Sequence, residues 1–143
     1  MTVRAYRKPR WWLRAIGNRL APLLNPRLVA ALSVRGRRSG RWRTVSVVVL
    51  EHDGERFLLA PFGDTDWSRN LRAAGGGRLR RWQRVEQFTA VEVPPHQRGP
   101  LIEAYLRRYG RAPGVKAGFD GLPDPADHPA FRVVPRPFSP AAG

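Results

Sequence analysis

The residues in this sequence best suited to chemistry are arginines crowded around two glycines. Arg35-Gly36-Arg37-Arg38-Ser39-Gly40-Arg41-Trp42-Arg43-Thr44 holds five guanidiniums in ten residues. Their planar forks match phosphate and carboxylate oxygens, and the glycines allow a tight loop whose backbone N–H groups turn outward. The chemistry on offer is anion capture. A solvent-exposed basic turn has the same composition, so the run alone is weak evidence. A second cluster, Asp66-Trp67-Ser68-Arg69-Asn70-Leu71, suits a pocket wall. At helical spacing Trp67 and Leu71 share a face with Asn70 beside them, which sets an aromatic surface next to a polar amide. Plain core packing is the competing explanation for Trp67.

What is missing narrows the field. The chain has no cysteine, so thiolate nucleophiles, disulfides and the usual zinc-cluster spacings drop out together. His52, His96 and His128 lie far apart in expected turns or loops, which suits surface histidines better than metal ligands or a nucleophile–base pair. No Gly-x-Ser-x-Gly elbow, Walker loop or Gly-x-Gly-x-x-Gly fingerprint occurs, and hydrolase and ATPase functions lose their usual support. Charge agrees with an anionic partner. Lys and Arg number 26 against 11 Asp and Glu, and the stretch up to Leu50 contains 12 basic and no acidic residues. Such a field fits nucleic acid, acidic lipid, or a phosphorylated and carboxylated small molecule.

The elements that must position these residues follow from periodicity. At 143 residues the chain fits a single domain: a basic amphipathic helix within 1–27, a barrel over 28–136 and a flexible tail over 137–143. Trp11, Trp12, Ile16, Leu20 and Leu24 fall roughly on one helical face. Such a helix caps the barrel or lies on an anionic membrane. Arg14 interrupts the apolar stretch, so neither a secretory signal nor a spanning helix is expected. Location is then cytoplasmic, with peripheral contact at the inner face of the cell membrane as an option.

Asn25-Pro26 argues for a helix through Leu32, while Leu28 to Val34 reads equally well as a buried strand. Thr44 to Leu50 is a β-branched strand, and Asp53-Gly54 turns it back into a strand at Glu55 to Ala60. After Pro61-Phe62-Gly63, Asp64 or Thr65 caps a helix over Asp66 to Ala74, stopped by Gly75-Gly76-Gly77. Strands follow at about Arg78 to Arg84 and Gln87 to Val93, with a turn near Val85-Glu86. Leu101 to Tyr109 is a helix, Gly110 to Pro129 a Gly/Pro/Asp-rich loop, and Ala130 to Val134 a last strand. The sum is an α+β fold, a mainly antiparallel barrel of about six strands with short peripheral helices.

The ordered set reaches a family. Gly36-Arg37-Arg38-Ser39-Gly40-Arg41-Trp42-Arg43-Thr44-Val45, a hairpin, Leu59-Ala60-Pro61-Phe62-Gly63, and Trp67-Ser68-Arg69-Asn70-Leu71 together resemble the deazaflavin (F420)-dependent nitroreductase and quinone reductase family. His128-Pro129-Ala130-Phe131-Arg132-Val133-Val134-Pro135 is similar to its closing strand. The resemblance implies a split β-barrel, favours a strand for Val29 to Val34, and implies coenzyme F420 rather than FMN. By matching positions, Arg38, Ser39, Gly40 and Arg43 would hold the coenzyme's phosphate and carboxylate tail, flanked by Thr44 and Val45. Pro61, Phe62 and Gly63 would pass under the ring system, and Trp67, Asn70 and Leu71 would shape the pocket where ring meets substrate. Trp42 and Ser46 stand where the family usually has proline, and Phe62 with Asp64-Thr65 replaces a Ser/Gly/Lys-like segment.

Hydride donation to a quinone, nitro compound or other unsaturated substrate is the activity implied, the coenzyme doing the hard step. Tyr105 and Tyr109 are candidate proton donors, with packing as the alternative role. Two rivals come from other classes. One is a non-catalytic carrier of lipid or haem on the same barrel. The other is a nucleic-acid-binding barrel that stacks bases on Trp42, Trp82 and Phe88 among the arginines.

Overall fold

The computed structural model describes residues 29–81, 83–111 and 114–136. The expected N-terminal helix, Trp82 and the C-terminal tail lie outside the described residues. Six strands close into an antiparallel barrel in the order β1-β2-β3-β6-β5-β4. They are β1 (Val29–Arg35), β2 (Trp42–His52), β3 (Glu55–Leu59), β4 (Gly76–Arg81), β5 (Arg84–Glu92) and β6 (Ala130–Pro135). Helices α1 (Asp66–Ala74), α2 (Gly99–Tyr109) and α3 (Val115–Gly121) lie outside the sheet, with 3-10 turns at Pro95–Gln97 and Pro125–Asp127.

Strand periodicity divides the apolar residues into two cores. Ala30, Leu32 and Val34 of β1 point inward with Leu79 of β4, Phe88 of β5 and Phe131 of β6, because alternate residues of a strand face opposite sides. These side chains fill the barrel, and Leu71 of α1 belongs to the same core. The second core lies on the outer surface of β2, β3 and β6, where Leu50, Phe57 and Leu59 meet Leu101, Tyr105 and Tyr109 of α2. Residues Val47 to Leu50 are therefore buried on both faces, which explains their unbroken apolar run. At one end of the barrel Arg56 grips Glu86 in a bidentate pair. The Arg56 hydrogen bond holds the Glu86 carboxyl below its usual value against the opposing effect of burial.

Local signals act where expected. Asp53 and Gly54 both take positive φ (52° and 78°) between the paired His52 and Glu55, a two-residue turn whose twist suits a hairpin. Thr65 is the N-cap residue of α1, its backbone N–H donating to Ser68 Oγ at 3.0 Å, and Gly75 ends the helix in the left-handed region. No helix among the described residues is long and apolar enough to cross a membrane.

The choice left open between helix and strand is decided for the strand that the resemblance favours: Val29 onward is β1, held between β2 and β4. Three expectations are corrected. The β4–β5 connection lies between Arg81 and Arg84, which pair, and Val85-Glu86 already belongs to β5. The segment 110–129 contains α3, whose Val115 and Phe119 are buried under α2. His128 is not a surface residue but 1% exposed; its ring nitrogens meet the carbonyl oxygens of Ala60 (2.8 Å) and Leu122 (2.5 Å).

Candidate functional site

The arginine-glycine run is the connection between β1 and β2. It folds on itself: Gly36 N–H donates to the Arg41 carbonyl (2.7 Å), Gly40 N–H to the Gly36 carbonyl (2.9 Å) and Arg41 N–H to Ser39 Oγ (3.1 Å). Gly36 is required by close approach, because a Cβ there would sit 2.9 Å from Ser39 Oγ and 3.3 Å from the Arg41 carbonyl oxygen. Gly40 is required by its φ of 72°. Arg35 spans the loop, donating to the Gly40 carbonyl at 3.0 Å.

Helix α1 is the other half of the site, and Arg37 is the joint. Asn70 Oδ1 accepts from the Arg37 backbone N–H (3.0 Å) and from its Nη1 (2.7 Å), while Arg37 Nη2 donates to Asp66 (3.3 Å). Asn70 is only 6% exposed, so its amide is committed to holding the loop. With four loop amides used in this way, those of Arg38 and Ser39 have no acceptor among the described residues. The guanidiniums of Arg38, Arg41 and Arg43 likewise have no hydrogen-bond or ion-pair partner among the described residues, and all three residues are exposed. Three cations and two amides without partners among the described residues share one edge, a donor set of the kind that suits an anion.

The other expected site residues separate into groups. Arg43 and Val45 pair with inward-facing Val34 and Leu32, and Val45 and Trp67 both pack against the barrel core. Thr44 faces the other way and its hydroxyl lies 2.9 Å from that of Ser33. Leu71 is fully buried and is a core residue rather than a pocket wall. Pro61 and Phe62 face α3, where a Cβ on Gly118 would stand 2.7 Å from the Pro61 carbonyl oxygen and 2.8 Å from Phe62 Cδ1. Gly63 follows with φ 97° and its N–H on the Ala60 carbonyl. Tyr105 and Tyr109 lie in the outer core beside Phe119. Burial pushes the pKa of both phenols up, making them weaker acids, and neither is brought near the loop.

Behind α1 runs a charge chain that composition did not reveal. Burial pushes the Asp64 carboxyl up, but Ser68 Oγ–H (2.6 Å) and the guanidiniums of Arg72 and Arg69 outweigh it and hold Asp64 below its usual value. Arg72 also takes both oxygens of Glu92 (2.7 and 2.9 Å), and Glu92 reaches Arg98 at 3.2 Å. The Arg98 guanidinium is buried and donates to the carbonyls of Val93, Ala126 and His128. The loop, α1, β5 and the segment before β6 are thus connected. Two open clefts of about 310 and 260 Å3 lie against α2, neither including a residue of the loop.

The barrel and its arginine-glycine loop define a class that the comparisons narrow. Residues 4–111, well over half of the chain, match the profile described as F420H(2)-dependent quinone reductase. The chain belongs to that reductase family. Among solved structures it is similar to a protein of unknown function from Agrobacterium tumefaciens, with TM-score 0.62 and 22% identity over 80% of this chain and 53% of that one. The chain thus spans about half the length of that protein. It is also similar to an F420-H2 dependent reductase, FDR-A, with TM-score 0.56 and 21% identity over 75% and 94% of the two chains. Campylobacter jejuni ChuZ shares the barrel at TM-score 0.60 and 8% identity, covering 95% and 57%. At these identities the likeness is one of fold. No curated protein matches.

Proposed function

We propose that this chain binds reduced coenzyme F420 and transfers hydride from it to a quinone, nitro compound or other unsaturated acceptor. The observation that carries this reading is the set of unpaired arginines on a loop locked to α1 through Arg37 and Asn70, in a chain of the F420H(2)-dependent quinone reductase family. A polyanionic tail suits Arg38 and Arg43, with Arg41 and the amides of Arg38 and Ser39 as further donors. Pro61 to Gly63 would pass under the ring system, with Trp67 at the pocket edge.

Once bound, F420 supplies the hydride. The chain's share is to hold and orient: the locked loop fixes the anionic end, and Trp67 offers an apolar surface that excludes water beside the ring. The phenols of Tyr105 and Tyr109 are sequestered, so a proton for the reduced acceptor comes from solvent. We assign the enzyme a cytoplasmic location, with the segment preceding Val29 touching the membrane in which a lipid-soluble quinone dissolves. A fatty-ligand carrier is less suited to this barrel, whose interior is filled by Leu32, Val49, Phe88 and Phe131.

The test is a titration with oxidised F420 followed by intrinsic tryptophan fluorescence, beside an Arg38→Ala/Arg43→Ala variant and an FMN control. Micromolar binding that is lost in the variant and absent for FMN is expected. Equal binding by variant and wild type would remove the tail from the loop, and no binding at all would end the reductase reading.

A further inference from the structure

The outer surface of the barrel is of two kinds. The half formed by β3, β6 and the end of β2 is apolar and lies under α2 and α3. The half formed by β4, β1 and the start of β2 carries no helix of the described residues. Register places Ser33 beside Thr44, Arg35 beside Trp42, and Arg78 and Arg80 beside Ser33 and Ala31. No carboxylate occurs at the outward positions of these strand segments. Trp42 is 41% exposed and stands where the family resemblance calls for proline. Its indole lies against two guanidiniums, those of Arg35 and Arg78, at 5.0 and 4.4 Å from the ring centroid. This pairing anchors a large amphipathic ring on the surface.

We propose that this face of β4, β1 and the start of β2 is a docking surface for the anionic phospholipid headgroups of a bilayer. Charge complementarity favours it, since Arg35, Arg78 and Arg80 present cations with no neighbouring acid, and tryptophan with arginine is the pairing that rests at a membrane–water boundary. A second copy of the chain would set arginine against arginine. A single strand of nucleic acid would need a groove and free aromatic faces. Neither cleft lies on this face, the indole is covered by guanidiniums, and Phe88 is sealed in the barrel at 0% exposure. Continuity adds support: residues 1–28, which lead into β1, carry seven basic and no acidic residues together with Trp11 and Trp12. The inference stands apart from the coenzyme reading and concerns the barrel face, not the preceding segment.

Flotation of the full chain with vesicles tests it, using phosphatidylcholine alone and phosphatidylcholine with about one-third phosphatidylglycerol. Binding to the anionic vesicles only is expected. Arg78→Gln/Arg80→Gln should lower that partition roughly ten- to thirtyfold, from the attraction of a basic side chain near an anionic surface. Its circular dichroism and F420 titration should stay unchanged, which keeps failure here separate from failure of the reductase reading. Trp42→Phe should lose part of the fluorescence quenching given by brominated lipid. The inference is overturned if Arg78→Gln/Arg80→Gln partitions as the wild type while Arg10→Gln/Arg14→Gln does not, since contact would then belong to the preceding segment. It is also overturned if the wild type ignores anionic vesicles yet binds an oligonucleotide with steep salt dependence that the face variant abolishes.

Discussion

One oxygen atom joins the two halves of the candidate site: Asn70 Oδ1 accepts both the backbone N–H of Arg37 at 3.0 Å and its Nη1 at 2.7 Å. Asp66, one turn earlier on α1, adds a third contact at 3.3 Å. The residue next to Arg38 is thereby fixed to a helix capped at both ends, and Arg38 projects from a rigid base.

Replacing that oxygen should therefore affect stability and ligand binding together. Asn70→Ala should cost about 1–3 kcal/mol in urea unfolding, the usual penalty for a donor left without its partner. It should also weaken F420 binding under conditions where the variant remains folded. Asn70→Asp, which keeps the acceptor and adds a charge facing Arg37, should retain more affinity. Unchanged binding by Asn70→Ala would mean that the loop needs no clamp.

Arg98 is the most buried arginine among the described residues, 4% exposed and surrounded by the carbonyls of Val93, Ala126 and His128. Arg98→Ala should destabilise by about 3 kcal/mol, because removing one member of a buried charge network leaves the others unpaired. A loss within about 0.5 kcal/mol, ordinary for a surface change, would mean that water takes over its contacts.

The carboxylates of the network govern acid stability. The Arg72 hydrogen bond holds Glu92 below its usual value against burial, and Arg56 does the same for Glu86. A carboxylate with a depressed folded value contributes stability that is complete above its unfolded value and lost as pH falls through the folded one. Thermal midpoints should hold at neutral pH and drop below about pH 4.3, the ordinary value for glutamate. Glu92→Gln should be less stable at neutral pH and have a shallower acid slope. An acid slope identical to the wild type's would remove Glu92 as a source of it.

Gly118 offers a test of sign. Alanine is favoured over glycine within a helix by about 1 kcal/mol, so Gly118→Ala in an unobstructed helix would stabilise. Here the new methyl meets the Pro61 carbonyl oxygen at 2.7 Å, a backbone atom that cannot swing away. Destabilisation by about 1–3 kcal/mol is expected from overpacking, and displacement of Pro61 and Phe62 should alter F420 binding. A rise in the midpoint of unfolding would show that α3 and the Pro61 segment are loosely packed.

Much of this molecule is local and therefore legible in its sequence. The Asp53-Gly54 turn and the helix from Asp66 to Ala74 need only neighbouring residues to be specified, whereas Val29 to Val34 reads equally as helix or strand until β2 and β4 pair with it. The glycines likewise announced the tight loop between β1 and β2. Long-range pairing decided the rest. Nothing near Arg37 in the chain distinguishes it from Arg38; Asn70, 33 residues away, ties one down and leaves the other free. Strand register puts Thr44 on the face of Ser33 and Arg43 on the opposite face beside Val34, although they are adjacent. His128 looks like a loop histidine until Ala60, 68 residues earlier, supplies a buried acceptor. Charge counting foresaw the excess of arginine, but only closure of the barrel could set Arg78 of β4 beside Trp42 of β2, because the strand between them is β1 and sequence order does not place it there.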